Sequence, residues 1–222
     1  MSETLNNTEK QEVIDNALNH TIMSWSKQKG LDTFAVERAE GVYLYEFGGK
    51  KIIDLSSGLM NSNIGYGDQR VTAAVVKQMQ EVSFISPSCV SKVRGDLGKK
   101  LAEICPGDLN RAFFTVCGAT ANENAIKLAR LYTGRHKIFA RYQSYHGATM
   151  GAISAGGDPR KIAVDSQHAP NFVHFDLPIA YHYEHGEEHL LKDSIASLER
   201  KIDFEDQNKI THISLTIRSG NF

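Results

Sequence analysis

Charge of either sign is nowhere in excess in this chain: 25 lysines and arginines stand against 26 aspartates and glutamates, a formal net charge of −1. That balance removes the electrostatic ground for nucleic acid or an anionic membrane as the main partner. Long apolar runs are missing as well. No stretch approaches the roughly 20 residues that span a bilayer, and the polar, acidic start MSETLNNTEKQEVIDNALNH has no apolar core of the secretory kind. Cysteine is scarce. Cys89, Cys105 and Cys117 are odd in number and widely spaced, which argues against a disulfide framework and fits a reducing compartment, with the cytoplasm as the expectation. Internal repeats and low-complexity tracts are also missing.

What is present is periodicity. From about Asn7 to Gly30, the residues Val13, Ile14, Ala17, Leu18, Ile22 and Trp25 fall near a helical repeat, with Gly30 as a stop. Gly41 to Tyr45 and Lys51 to Leu55 then read as a hairpin turning at Gly48-Gly49, and Ser56 to Gly67 as a loop. Asp68 is placed to cap a helix with Val71, Ala74, Val75 and Met79 on one side. Pro87 marks a break, and a helix from Lys92 to Ile104 stops at Cys105-Pro106-Gly107.

From Arg111 onward strands and helices alternate. Strands are expected at Arg111–Val116, Lys137–Tyr142, Phe172–Phe175 and Ile210–Ile217, and helices at Ala119–Tyr132, Gly147–Ala155 and Glu188–Ile202. Such alternation predicts an α/β fold, a mostly parallel sheet with flanking helices.

In an open α/β sheet, ligands sit beyond the carboxyl ends of the strands. Two such ends here are Val116 to Thr120 and Tyr142 to Gly147. A helix starting near Ala119 leaves backbone N–H groups unpaired at the positive end of its dipole, and Gly118, without a Cβ, lets an anion approach closely. Together they make a phosphate cradle. The plainer reading is that Gly118 only turns a strand into a helix and Tyr145 is a core or rim residue. Local physics leaves both open.

Cys117-Gly-Ala-Thr-Ala-Asn-Glu-Asn-Ala-Ile-Lys-Leu-Ala-Arg130, Thr133-Gly-Arg135 and Ser144-Tyr-His-Gly147 together resemble the class III pyridoxal-phosphate aminotransferases. Gly41 to Tyr45, Asp54 to Gly58 and Asn63 to Gly67 resemble that family's amino-terminal region, so the likeness runs from about Phe34 to Arg160 with order and spacing intact. The resemblance implies the amino-terminal half of a fold-type I transferase. Residues 1–60 would contribute to a small domain, and 61–222 would form the first half of the large cofactor-binding domain.

The cofactor implied is pyridoxal 5'-phosphate. Gly118 and Ala119 would offer backbone N–H groups to its phosphate, Tyr145 would stack on its ring, and His146 would line the pocket. Ser57 to Met60 would lie near the substrate entrance. The reaction implied moves an amino group between an amine or amino acid and a keto acid, in a homodimer whose partner contact includes Phe84 to Cys89. Two departures stand out. Ala119 replaces the usual Ser or Thr, which removes a charge-assisted hydrogen bond of about 1.5–3 kcal/mol and weakens phosphate binding. Thr120 replaces the usual Glu.

Amino transfer in this family also needs a lysine that bonds to the cofactor and an acidic residue against its pyridine nitrogen. No lysine here matches the family's position. The expectation is a truncated form, poorly soluble and not competent alone, or a non-catalytic remnant that pairs with a full-length aminotransferase. Two rivals come from single motifs. His182-Tyr-Glu-His185-Gly-Glu-Glu-His189 is dense in metal-binding types but reads better as a solvated loop, because Gly186 interrupts any helix. Cys117 near His146 suggests a thiol nucleophile, against which it reads better as a small residue in the family's Ser position.

Overall fold

A computed structural model describes residues 2–162, 168–176 and 187–211, and the chain divides into two compact units, Met1–Asp96 and Leu97–Phe222.

The first unit opens with α1 (Ser2–His20). The helix ends before Ile22 and Trp25, which the apolar repeat had included; the chain turns there, with Trp25 at φ 61°. Next comes an antiparallel meander, β1 (Val36–Glu40), β2 (Tyr43–Glu46) and β3 (Lys51–Ile53), in the order β1-β2-β3. The expected hairpin is β2 and β3, with Leu44 opposite Ile52. Strand β1 went unseen because Val-Glu-Arg-Ala-Glu has a single branched residue and no aromatic one, against three charged residues. Glu46 on β2 is 7% exposed and carries its charge inside because Lys10 of α1 pairs with it at 2.7 Å.

Within the expected loop the chain makes one left-handed helical turn, α2 (Ser57–Met60). Ser57, Gly58, Leu59 and Met60 follow one another at φ between 51° and 68°. Each non-glycine residue in that region costs roughly 1–2 kcal/mol, so the turn needs outside support. Asp68 caps α3 (Gln69–Glu81) by accepting from the Arg70 N–H at 2.9 Å, and α4 spans Lys92–Ile104, as its sequence indicated.

In the second unit a three-stranded sheet runs β5-β4-β6, with β4 (Lys137–Arg141) parallel to both β5 (Phe172–Phe175) and β6 (Ile210–Thr211). Ile138, Phe139 and Ala140 are buried in succession, the pattern of a parallel strand covered on both faces. Helices α5 (Gly118–Thr133), α6 (Met150–Ala155) and α7 (Glu187–Phe204) accompany it. Helix α6 starts at Met150 rather than Gly147.

One expected strand does not form. Residues 111–116 have no strand assignment, and Phe113 and Val116 are 69% and 93% exposed. An apolar segment becomes a strand only when a neighbour takes up its N–H and C=O groups. No such neighbour occurs among the described residues. The remainder of the Ile210–Ile217 strand and the segment Arg218–Phe222 lie outside the described residues.

Candidate functional site

The site is built from the start of α5 upward. Cys117 is extended, at φ −162° and ψ 170°, and the helix begins at Gly118. The far end is closed by Gly134, left-handed at φ 67°, whose N–H bonds to the Arg130 carbonyl. At the near end helix geometry leaves the first amides without intrahelical acceptors. A Cβ added to Gly118 would meet nothing within 4 Å, so the approach to these amides is open.

The thiol of Cys117 reports on the field there. Its sulfur lies 3.3 Å from the Thr120 hydroxyl and makes no cap hydrogen bond of ordinary geometry. Even so its pKa is lowered, first by the Thr120 hydroxyl and then by the amides of Thr120 and Ala119. The Thr120 hydroxyl, ahead of the helix amides, thus favours the thiolate of Cys117.

The second arm of the site leaves the carboxyl end of β4. Ser144 is 1% exposed and bonds to the Arg141 carbonyl at 2.7 Å, and backbone bonds Gln143–Gly157 and Gly157–Ser144 close a tight turn. Two side chains of α5 then pin this arm. Asn122 donates to the His146 carbonyl at 2.6 Å. Glu123 accepts from the Thr149 hydroxyl at 2.6 Å and from the Gly151 and Ala152 amides at 2.7 and 3.1 Å, capping α6 from outside it.

Gly147 sits at φ 133°, and a Cβ there would lie 2.5 Å from the Ala119 Cβ. Ala119 and Gly147 are thus in direct apposition. Asn122 and Glu123 were not singled out from the sequence. No local signal marks them, since the helix also carries Thr120, Lys127, Arg130 and Thr133.

His146 is 2% exposed, and neither ring nitrogen has a hydrogen-bond partner among the described residues. Burial, then Arg141 and His174, lower its pKa, so the ring is neutral and offers one donor and one acceptor. A buried, unused imidazole beside a helix start with open amides fits a group that brings both a phosphate and polar ring atoms. Tyr145 is half-buried, and the Arg160 guanidinium lies 4.5 Å from its ring centroid. An aromatic ring has two faces, and the cation takes one.

Cys117 has Thr120 rather than His146 as its recorded side-chain partner, so the described residues hold no Cys–His pair. No group of three or more His, Cys, Asp or Glu among the described residues is arranged to hold a metal ion, and the side chains of the His182–His189 segment lie outside them.

The family profile of the class III aminotransferases matches residues 25–210. The putrescine–pyruvate aminotransferase of Pseudomonas aeruginosa is 30% identical over 159 residues, 66% of this chain and 34% of that protein. The acetylornithine aminotransferase of Bacillus subtilis is 38% identical over 125 residues, 56% of this chain and 32% of that one. Among solved structures, an (S)-enantioselective omega-transaminase from Thermomicrobium roseum superposes with a TM-score of 0.86 at 32% identity, covering 90% of this chain and 48% of its own. The taurine:2-oxoglutarate aminotransferase of Bifidobacterium kashiwanohense, solved with PLP and glutamate, gives 0.85 at 34% identity, covering 91% and 46%. The chain thus spans about a third of these curated relatives and just under half of these solved ones. It belongs to the class III aminotransferase family.

Proposed function

We propose that the Gly118–Gly147 region is the phosphate-side half of a pyridoxal-phosphate site in an aminotransferase that moves an amino group between an amine or amino acid and a keto acid. The observation that carries this reading is the start of α5, whose first amides have no intrahelical acceptor and lie open at Gly118. The Gly118 and Ala119 amides hold the phosphate, Tyr145 supports the ring, and His146 offers its neutral imidazole to the same group. When bound, the cofactor supplies an electron sink for the carbon that loses its proton. The chain's own residues bind and orient, and Asn122 and Glu123 keep the two arms of the site in register.

The lysines of the second unit and of α4 that form ion pairs act locally. Lys137 serves Glu205, Lys201 serves His174 and Asp176, and Lys92 serves Asp96. On this reading the 222 residues alone bind the cofactor without a covalent link and do not complete amino transfer. The division into residues 1–60 and 61–222, the cytoplasmic setting and the homodimer belong to the same proposal. Support for a partner surface comes from Phe84 and Val90, which are 85% and 95% exposed around the Phe84–Cys89 loop. The same exposure favours a second reading, a non-catalytic subunit that pairs with a complete aminotransferase.

Titration of the purified chain with pyridoxal phosphate, followed by borohydride reduction and mass spectrometry, tests the reading. The expected result is saturable binding displaced by inorganic phosphate, with no single lysine labelled. Binding insensitive to phosphate would remove the cradle, and stoichiometric labelling of one lysine would overturn the view that the chain is incompetent alone.

A further inference from the structure

The left-handed turn α2 carries three non-glycine residues at positive φ, and one carboxylate stands beneath it. Asp54 accepts four hydrogen bonds: from the Ser56 amide at 2.9 Å, the Ser56 hydroxyl at 2.8 Å, the Gly58 amide at 2.7 Å and the Tyr66 hydroxyl at 2.6 Å. Both carboxylate oxygens are used, each twice. The two ends of this latch are fixed to the meander. The Asp54 amide bonds to the Val42 carbonyl, and Tyr66 exchanges a pair of backbone bonds with Gly41 at 2.9 and 2.7 Å.

Close packing completes it. A Cβ on Gly58 would meet the Tyr66 hydroxyl oxygen at 3.0 Å, and one on Gly65 would meet the Gly41 carbonyl at 2.8 Å. The turn itself closes through Met60 N–H to the Ser56 carbonyl and Ser62 N–H to the Ser57 carbonyl, both at 2.8 Å. The side chains it displays, Leu59 and Met60, are 52% and 61% exposed. A strained turn that displays apolar side chains to solvent gains nothing from its own packing, so its shape depends on what holds it from below.

We infer that Asp54 is a latch whose carboxylate holds Ser57–Met60 in the left-handed conformation and so sets how the turn displays Leu59 and Met60. An amide side chain cannot replace the carboxylate. Asn at 54 keeps one acceptor and presents a donor where the Gly58 amide also donates, so the two N–H groups oppose each other. Tyr66→Phe removes one bond of four and leaves the rest.

Amide exchange and tyrosine-selective NMR on the intact chain test the latch. Asp54→Asn is expected to speed exchange at Gly58, Met60 and Ser62 about tenfold or more, while Gly151 and Ala152 in the second unit are unchanged. The Tyr66 phenol, whose pKa the Asp54 carboxylate raises, is expected to ionise at lower pH in the same variant. Should Asp54→Asn not fold, Tyr66→Phe carries the test, with an expected rise of about threefold at Gly58. Rates within twofold of the parent at Gly58 and Met60 in either variant would overturn the latch.

Discussion

Helix α3 in the first unit and helix α6 in the second meet opposite fates. Helix α3 runs 13 residues with Val71, Val75 and Met79 along one side, yet none of its residues is buried, and Val75 is 52% exposed. Helix α6 has six residues, and Gly151, Ala152, Ser154 and Ala155 are all buried. The difference does not lie in local propensity. Helix α6 is short and has two alanines and a glycine, whereas α3 is longer, capped by Asp68 and clearly amphipathic. Burial follows from having layers to bury against, and α6 has β4, β5 and α5 around it. The region around α6 is therefore closely packed, and substitutions there and in the uncovered helices α3 and α4 should differ in sign as well as size.

Adding one methyl group at a glycine gives the largest expected contrast. Gly147→Ala forces a side chain onto a φ of 133° and drives it against the Cα and Cβ of Ala119. A loss of about 3–5 kcal/mol is expected, together with loss of pyridoxal-phosphate binding. Gly98→Ala in α4 meets nothing within 4 Å and sits in a helix, so a gain of about 0.4–1 kcal/mol is expected. Urea unfolding followed by circular dichroism reads both. If Gly147→Ala cost less than Gly98→Ala gained, the close apposition of the two arms would be refuted.

Next in size is Glu123→Ala, which leaves the Gly151 and Ala152 amides and the Thr149 hydroxyl without their acceptor. A cost of about 2–3 kcal/mol is expected, with faster exchange at Gly151 and Ala152. Glu103→Ala on α4 removes only an exposed pair with Lys100 and should change stability by less than about 0.5 kcal/mol.

Acid should separate the regions as well. His146 and His174 are both held below the ordinary imidazole value of 6.5 by burial first, with Arg141 acting on His146 and Lys161 on His174; Asp158 opposes the shift at His146. The unfolded chain then takes up protons that the folded chain refuses. Stability from this source is full above pH 6.5 and falls as pH drops through that value. A melting temperature lower by about 2–5 °C at pH 5.5 than at pH 7.5 is expected, and His146→Gln should flatten part of that slope. Asp54 works in a different window. Its carboxyl is lowered from 3.8 to about 2, so the stability it lends is present above pH 3.8 and is lost only as pH falls toward 2.

These contrasts also explain what could be read in advance. Helix α5, strand β4 and strand β5 were legible because period, stop glycine and apolar runs agree within each segment. Gly118, Ala119, Tyr145 and His146 were singled out from two expected strand ends and from the family resemblance; the strand expected before Gly118 does not form among the described residues, and the cofactor role of all four belongs to the proposal. Asn122 and Glu123 escaped notice because their work is contact across 24 to 29 residues of sequence, which no local pattern encodes. The 111–116 segment failed for the complementary reason. Its composition favours a strand, but strands are made by neighbours, and composition does not say whether a neighbour is there.

The smallest effect expected is the most direct test of the uncovered helix. Val75→Lys replaces a half-exposed apolar side chain on α3 with a charged one. If nothing covers that face, unfolding free energy should move by less than about 0.5 kcal/mol, and light scattering at equal concentration should fall because an apolar patch has been broken. Ile138→Lys on β4, fully buried, should abolish folding of the second unit under the same conditions. A loss above about 1 kcal/mol at Val75 would mean that another surface, of this chain or of a second copy, rests on α3 in solution. The two helices would then differ only in when they find their partners, since each buries its apolar side once a layer is supplied.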